Sequence, residues 1–492
     1  MAVMAAVDLG AQSGRVAVGR FDGERLAVSE VHRFANTPVR VRGTLHWDIL
    51  RLYEETLDGL RAAARDAGVD SIAVDSWAVD FGLLDGSGGL VGNPVHYRDA
   101  RRAAAVPGVY ARIPPRHLYE RTGIQLLPIN TVFELAAMAD AHDPSLAAAE
   151  TLLLIPDLFH YWLCGSRTTE FTNATTTQCL DQRTGEWAGD LLDRLEIPAR
   201  LFPDILQPGT PLGPIAADAA VATGLEGTRV TAVATHDTGS AVAAVPFRKA
   251  RSVFLSVGTW SLVGLEVDRP LVTDATYAAN LTNEGGVAGT FRLLRNVTGL
   301  WLLEECRRQW AIDGHEHSVE DLVELARSAP ALSSFVDPDD PTFAEPGDMP
   351  ARIADFCSRT GQPEPATPGE VTRCILESLA LGHAQVVALL GEVTGNTAAE
   401  LHVVGGGARN ELLCDWTAQA AGLPVLAGPA EATLIGNLLV QAMALGELAS
   451  LDEARGVVRA SYTPTVYEPS ESAEWREARE RFARLAGIEV TS

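Results

Sequence analysis

Three stretches set hydrogen-bond donors and acidic groups at the ends of short apolar runs, where backbone and side chains together could handle a phosphate ester. The first, Asp8-Leu9-Gly10-Ala11-Gln12-Ser13-Gly14-Arg15, lies between two strand-like runs. Its small residues let backbone N–H groups approach an anion, and Gln12, Ser13 and Arg15 carry donors for phosphate oxygens. Asp8, at the end of the first run, is suited to holding magnesium through water. The same stretch also fits an ordinary β-turn, and it is not a Walker loop, because no Gly-Lys-Ser/Thr follows. The second stretch, Thr235-His236-Asp237-Thr238-Gly239-Ser240, follows the apolar run 230–234 and opens a helix of small residues. A carboxylate there is kept ionised by the helix N-terminus and faces the crevice where open α/β sheets bind ligands. Asp237 in that position could take a proton from an acceptor hydroxyl during phosphoryl transfer. A plain N-cap aspartate fits the bare motif as well, and His236 alone reads as a polar neighbour.

The third feature is a pair of glycine junctions. Ser256-Val257-Gly258-Thr259-Trp260-Ser261 is the second half's counterpart of the first turn. Val403-Val404-Gly405-Gly406-Gly407-Ala408-Arg409-Asn410 joins a strand-like run to a helical one, with backbone open enough for a nucleotide to lie against it. It lacks the G-x-G-x-x-G spacing and the distal ribose acid of a dinucleotide-binding fold.

These stretches need strands and helix starts to position them. The runs 2–7, 15–21 and 26–34, with Asp22-Gly23 between the last two, predict a strand followed by a hairpin. Asp48 is a candidate N-cap, and Ile49, Tyr53, Leu57, Leu60 and Ala64 recur at helical spacing until Gly68. The run 71–74 then ends at Asp75, for an order β-β-β-α-β. The second half opens on an echo of this pattern, 252–257 and 262–267 around a polar turn, followed by a helical pattern over 371–390, a strand at 401–404 and a helix over 410–421. Two domains of related topology are expected, 1–245 and 246–450, with 451–492 as a helical C-terminal appendage.

Composition narrows the ligand. The 39 basic and 64 acidic residues leave a net charge of −25, which opposes binding of a polyphosphate backbone and excludes nucleic acid as a partner. A phosphate handled here is held by local N–H groups, a metal ion or a few placed side chains. The six cysteines show no Cys-x-x-Cys pair and no metal spacing, so they read as reduced buried thiols, with a Cys357–Cys374 pairing left open. The opening residues have no basic flank or cleavage site, and no run is expected to reach the ~20 apolar residues of a membrane span. A cytoplasmic protein without a membrane partner is the expectation.

In this order, and from about residue 3 to about residue 445, the pieces resemble the FGGY carbohydrate kinases. Matching stretches include Ala6-Val7-Asp8-Leu9-Gly10-Ala11, Ser13-Gly14-Arg15, Val79-Asp80-Phe81, Tyr97-Arg98-Asp99 and Thr122-Gly123-Ile124-Gln125. Others are Tyr161-Trp162-Leu163, Thr172-Asn173-Ala174-Thr175-Thr176-Thr177-Gln178, Thr282-Asn283-Glu284-Gly285-Gly286 and Gly299-Leu300-Trp301-Leu302-Leu303. The resemblance implies an α/β fold of two ribonuclease-H-like, actin-type ATPase domains around a central cleft, the first on the sugar side and the second on the nucleotide side. It implies ATP and magnesium as cofactors and phosphorylation of a ketose at its 1-hydroxyl, L-rhamnulose in the branch that matches most closely. L-fuculose, xylulose and a linear diol are the neighbouring acceptors, and a non-catalytic actin-like sugar sensor would share the fold without the chemistry. It further implies that Ala11, Gln12, Ser13, Gly14, Arg15, Thr259 and Gly406 contact ATP and that Asp8 serves the metal. His236, Asp237, Thr238 and Asn296 would contact the ketose, with Asp237 as base. Two positions depart from the family pattern: Ala78 stands where glycine is expected near the sugar, and Glu304 where glutamine is expected near the nucleotide.

Overall fold

The computed structural model describes residues 1–65, 68–247, 249 and 251–486. It divides into two compact units, each assembled from separated stretches of chain. The first contains Met1–Pro246, Glu266–Leu293 and Ala432–Tyr462; the second contains Phe247–Leu265, Leu294–Glu431 and the chain from Thr463. Sequence order suggested one boundary near 246, and the partition differs from it because later segments return to cover the first unit's sheet.

That sheet has six strands, in the order Thr210–Pro214, Arg229–Ala232, Ser71–Ser76, Ala2–Leu9, Ser13–Phe21, Leu26–Ala35. Ala2–Leu9 is buried along its whole length, as a strand covered on both faces must be. It runs antiparallel to Ser13–Phe21 and parallel to Ser71–Ser76, which in turn runs parallel to Arg229–Ala232. Three neighbouring strands therefore finish at one end of the sheet. The registers set Asp8 opposite Asp75 on one side and Arg15 on the other, and an isolated bridge joins Ser76 to His236.

Helices cover both faces, among them Ile49–Ala63 and Ala432–Ala444. Ile49–Ala63 follows Asp48, which stands at the N-cap without a side-chain capping bond. The helix ends before the expected Gly68, and residues 66 and 67 lie outside the described residues. Its Gly59 rests on Val16, while Gly19 of the same strand rests on Leu438 of Ala432–Ala444. Val16 and Gly19 point to opposite faces because strand side chains alternate. The late helix thus covers the second face of the N-terminal sheet, and it also packs against Asp237–Ala243.

In the second unit the echo seen in sequence is a real repeat of topology. Ser252–Val257 pairs antiparallel with Trp260–Val267, through Phe254–Gly264 to Val257–Ser261, and parallel with Glu400–Val404. Val425–Ala427 and Thr465–Tyr467 extend the sheet. The segment after 450, expected as an appendage, is instead shared: Leu451–Ser461 lies in the first unit, Thr465–Tyr467 is a strand of the second, and Ala473–Leu485 packs on the second unit's long helix. Residues 487–492 lie outside the described residues. That long helix, Pro368–Thr394, begins at a Thr367–Glu370 capping box and ends at Gly395 with φ 68°. At 27 residues it is long and apolar enough to cross a membrane, contrary to the expectation from sequence. Its most apolar stretch is 78% buried within the protein, against Val319–Ser328, Glu411–Ala421 and Ala473–Leu485, which accounts for its apolarity as that of a core helix. All six cysteines are free thiols.

The fit of Ala432–Ala444 to Asp237–Ala243 depends on Gly436, where a Cβ would overlap the Ser240 carbonyl. Alanine is the better helix former by ~1 kcal/mol. Gly436→Ala is nonetheless expected to destabilise by about 1–3 kcal/mol through overpacking, read as a lower midpoint in thermal or chemical denaturation. An unchanged or raised midpoint would mean that the two helices are not packed as closely as described.

Candidate active site

The first glycine turn is built from backbone bonds. The Gly10 N–H donates to the Ser13 carbonyl at 3.0 Å, and a Cβ on Gly10 would lie 2.8 Å from that oxygen. Asn36 ties the turn from behind: its Nδ2 donates to the Gly10 carbonyl at 2.9 Å, and its N–H to the Gln12 carbonyl at 2.9 Å. Gly14 is buried where a Cβ would enter the Phe34 ring, while Gln12 is exposed and Ala11, Ser13 and Arg15 are half-buried. Backbone and Asn36 bonds hold this turn, and of its side chains Gln12 alone is exposed.

Beside it sit three acids. Asp8 is buried and ion-paired with Arg15. Asp75 is fully buried and accepts a hydrogen bond at 2.6 Å from Asn437 Nδ2, which is bridged through Gln441 to the Ala5 carbonyl. Burial, and then the charge of Asp8, push the Asp75 carboxyl well above the usual carboxylate range, Asn437 opposing. Among the described residues no set of three or more His, Cys, Asp or Glu side chains is placed to hold a metal ion by itself.

Asp237 is the first residue of its helix, and His236 holds the N-cap position. The plain N-cap reading of the motif is therefore set aside. Its side chain is 31% exposed, and Oδ1 accepts from the Thr238 N–H at 2.5 Å and the Thr238 hydroxyl at 3.2 Å. Its surroundings work against the helix N-terminus expected to keep this carboxylate ionised. Loss of solvation raises its proton affinity, the His236 ring opposes this, and the charge of Asp8 adds to it.

Behind the pair runs the threonine-rich stretch. Glu170 accepts from the Thr172 N–H at 2.9 Å and hydroxyl at 2.5 Å, and from the Thr235 N–H and hydroxyl at 2.9 Å each. Thr172 Oγ1 then accepts from the His236 N–H at 3.2 Å. One buried carboxylate thereby fixes the backbone that presents His236 and Asp237. Ala78 is half-buried in a segment clamped by its neighbours: Val79 has φ 68°, and Asp80 accepts from Trp47 Nε1 at 2.6 Å, Trp77 Nε1 at 2.9 Å and Arg102 Nη2 at 2.5 Å. Ala78 therefore stands in a segment that its neighbours hold from several sides.

The second unit holds the other expected residues. Gly258 and Thr259 form a turn whose carbonyls accept from Leu300 at 2.9 Å and Gly299 at 3.0 Å, and a Cβ on Gly299 would lie 2.6 Å from the Trp260 backbone. That contact seats the start of Trp301–Ile312, whose first turn carries Glu304. The charge at Glu304 is matched within its own helix, since Arg307 Nη1 reaches its oxygens at 2.8 and 3.0 Å. Gly405 has φ 79° and Gly407 is pressed against Val257, whereas a Cβ on Gly406 would meet nothing within 4 Å. Gly406 thus offers an open backbone surface beside the strand that leads to Thr259. Asn296 is half-buried on Phe291–Thr298.

This frame is matched along both halves. A model of the N-terminal domain of the FGGY family of carbohydrate kinases matches residues 3–244, and one of its C-terminal domain matches 253–445. The chain belongs to the FGGY family of carbohydrate kinases. It is 42% identical over 471 residues to a rhamnulokinase of Bacteroides thetaiotaomicron, covering 96% of each chain. It is also 42% identical over 491 residues to one of Pectobacterium carotovorum, covering 99% of this chain and 97% of the other. Among solved structures, the FGGY fold is shared with a xylulose kinase of Lactobacillus acidophilus (TM-score 0.80, 18% identity, 99% and 97% covered). It is shared too with Plasmodium falciparum glycerol kinase (TM-score 0.78, 14% identity, 100% and 99% covered). The fold is of the actin-like ATPase type, and the family's substrates are a small sugar and ATP.

Sequence reasoning assigned no role to Asp75, Glu170, Glu284, Arg292 or Asn437. Asp75 was visible as the end of a strand-like run and Glu284 as part of a matching stretch. The other three lie apart from the motifs and reach the site only by folding.

Asp75 generates a test. A carboxyl group whose proton affinity is raised by folding stabilises the fold at low pH, and that contribution is lost as pH rises toward the raised value. Asp75→Asn keeps the shape and the Asn437 bond but removes the charge. In protein free of nucleotide and metal, the variant is expected to melt above the wild type at about pH 8, with the gap closing toward about pH 4. A wild type that melts higher at both values would show that the charge is not a burden to the fold.

Proposed function

We propose that this FGGY chain transfers the γ-phosphoryl group of ATP to the 1-hydroxyl of L-rhamnulose in the cytoplasm, giving L-rhamnulose 1-phosphate and ADP as a step of L-rhamnose catabolism. The choice of sugar is carried by the likeness to rhamnulokinases along nearly the whole chain, and it is supported by the Thr172–Gln178 and Thr282–Gly286 stretches. The choice of chemistry is supported by Asp237, a partly exposed carboxylate with raised proton affinity beside the glycine turn's Asp8.

In this reading residues 1–245 carry the sugar side and 246–450 the nucleotide side. His236, Asp237, Thr238 and Asn296 orient the ketose, with Ala78 narrowing the pocket at one edge. Asp237 accepts the proton of the 1-hydroxyl as the new P–O bond forms, late in a loose transfer that demands mainly positioning and charge stabilisation. Ala11, Gln12, Ser13, Gly14, Arg15, Thr259 and Gly406 cradle ATP, Glu304 standing alongside. Magnesium fits the donor set, because Asp8 is a hard oxygen ligand and Asp75 Oδ1 is buried without a hydrogen-bond partner in the structure. Held by Asp8 through water and by the phosphates, it would neutralise phosphate oxygens. Arg15 fixes the Asp8 carboxylate in place for that task.

The sugar assignment is tested by coupled ADP release across a panel of ketoses. L-rhamnulose is expected to give the highest kcat/KM, since a site built to bond a substrate hydroxyl can reject an analogue that lacks it by up to ~10⁴–10⁵. Turnover of L-fuculose or xylulose at an equal or better kcat/KM would move the assignment to that sugar, and ATP consumption without added sugar would replace the kinase with an ATPase machine.

The base is tested by Asp237→Asn. Asparagine keeps the Thr238 bonds and does not disturb the N-cap, which is His236, so folding is expected to survive. If Asp237 is the base, kcat falls by about 10²–10⁴-fold with KM little changed, because proton transfer is realised only in the transition state. A variant with a native melt and near-native kcat would overturn the mechanism.

A further inference from the structure

His236 has two ring nitrogens, and the side chains packed around it decide which of them carries the proton. Arg292 is fully buried. Its Nε donates to the Gly285 carbonyl at 2.8 Å, its Nη1 pairs with Glu284 Oε2 at 3.2 Å, and its Nη2 lies 3.1 Å from His236 Nδ1. Burial works against the guanidinium charge, while Glu284, Asp237, Glu170 and Glu266 work for it. A guanidinium has donors only and stays protonated in proteins. The nitrogen it faces must therefore present a lone pair. Glu284 Oε2 also lies 3.3 Å from Nδ1 and, in the absence of Arg292, would draw a proton onto that nitrogen. The arginine takes up this carboxylate and reverses the demand. On the far side of the ring, Nε2 lies 3.4 Å from Asp237 Oδ1.

We propose that Arg292 and Glu284 are positioning residues that hold His236 in the tautomer protonated at Nε2, with that hydrogen turned toward the Asp237 carboxylate. Three donors then converge on Oδ1: the Thr238 N–H, the Thr238 hydroxyl and the His236 Nε2–H. This assigns Oδ2 to the proton leaving the acceptor hydroxyl. The opposite tautomer would aim a lone pair at Oδ1, repel the carboxylate and free it to rotate. The proposal rests on Asp237 acting as base and adds the residues that set its working oxygen.

The test uses full-length protein labelled with ¹⁵N at its 11 histidines, with the His236 signals assigned by their loss in His236→Asn. In the native protein Nε2 is expected to carry the proton and Nδ1 to show the shift of an unprotonated ring nitrogen. A proton on Nδ1, alone or with Nε2, overturns the proposal, and this measurement needs no variant to fold. The second arm is the Arg292→Met/Glu284→Gln double variant, which removes both charges together and leaves neither buried alone. It is expected to lose the single-tautomer signature and to lower kcat by roughly 10–100-fold, the scale of removing a partner that orients a functional histidine, with KM for ATP unchanged. A folded double variant with the native signature, or with kcat within about threefold of native, overturns the proposal. Asp237→Asn assayed alongside separates the two failures: an active Asn variant removes the base itself, whereas an inactive one beside a fully active double variant removes only the role of Arg292 and Glu284.

Discussion

Negative charge collected at the carboxyl ends of three parallel strands is the constraint around which the first unit is arranged. Asp8 and Asp75 are register partners, and Asp237 follows the strand beside them. Like charges in a poorly solvated place repel one another, and each of these acids has its own partner. Arg15 partners Asp8 across the hairpin, Asn437 partners Asp75 from a helix that comes late in the chain, and His236 partners Asp237 from the adjacent residue. Arg15 and His236 lie close to their acids in sequence, whereas Asn437 stands 362 residues from Asp75. The site is thus as much a product of tertiary packing as of its motifs.

The second unit treats its part of the problem differently. Its turns are made of backbone, and its informative residues are glycines that exclude side chains: Gly299 against Trp260, Gly407 against Val257, and Gly406 against nothing. Such a surface has no charge to balance. The one charged departure from the family pattern, Glu304, is matched by Arg307 one turn on. The two units share a strand pattern, with charged side chains at the strand ends of the first and glycine-lined backbone turns in the second.

Much of this was legible in the sequence. The hairpin-and-strand repeat, the helix after Asp48, the glycine turns and the placing of Asp8 at a strand end and Asp237 at a helix start follow from local pattern, because alternation, capping and turn chemistry act over a few residues. What local pattern cannot carry is contact at long range. Arg292 reads as an ordinary charged residue on a strand, and only folding sets its Nη2 beside His236. Asp75 reads as a strand end, and only the parallel register with Asp8 gives it significance. The long helix Pro368–Thr394 shows the converse, since its composition alone suits a membrane and its packing shows a core. The segment after 450 looked like an appendage because short amphipathic helices carry no sign of what they will cover.

The late arrival of Ala432–Ala444 bears on how a ribosome delivers this protein. Strand Ala2–Leu9 and its neighbours are synthesised first, yet the face that carries Gly19 waits for Leu438. At roughly 5–20 residues per second, the interval is on the order of 20–85 s. For that time the nascent chain bears an uncovered apolar sheet face, and Asp75 lacks its amide donor. A chain that stops before residue 432 lacks the helix that covers this face and the amide that Asp75 accepts from.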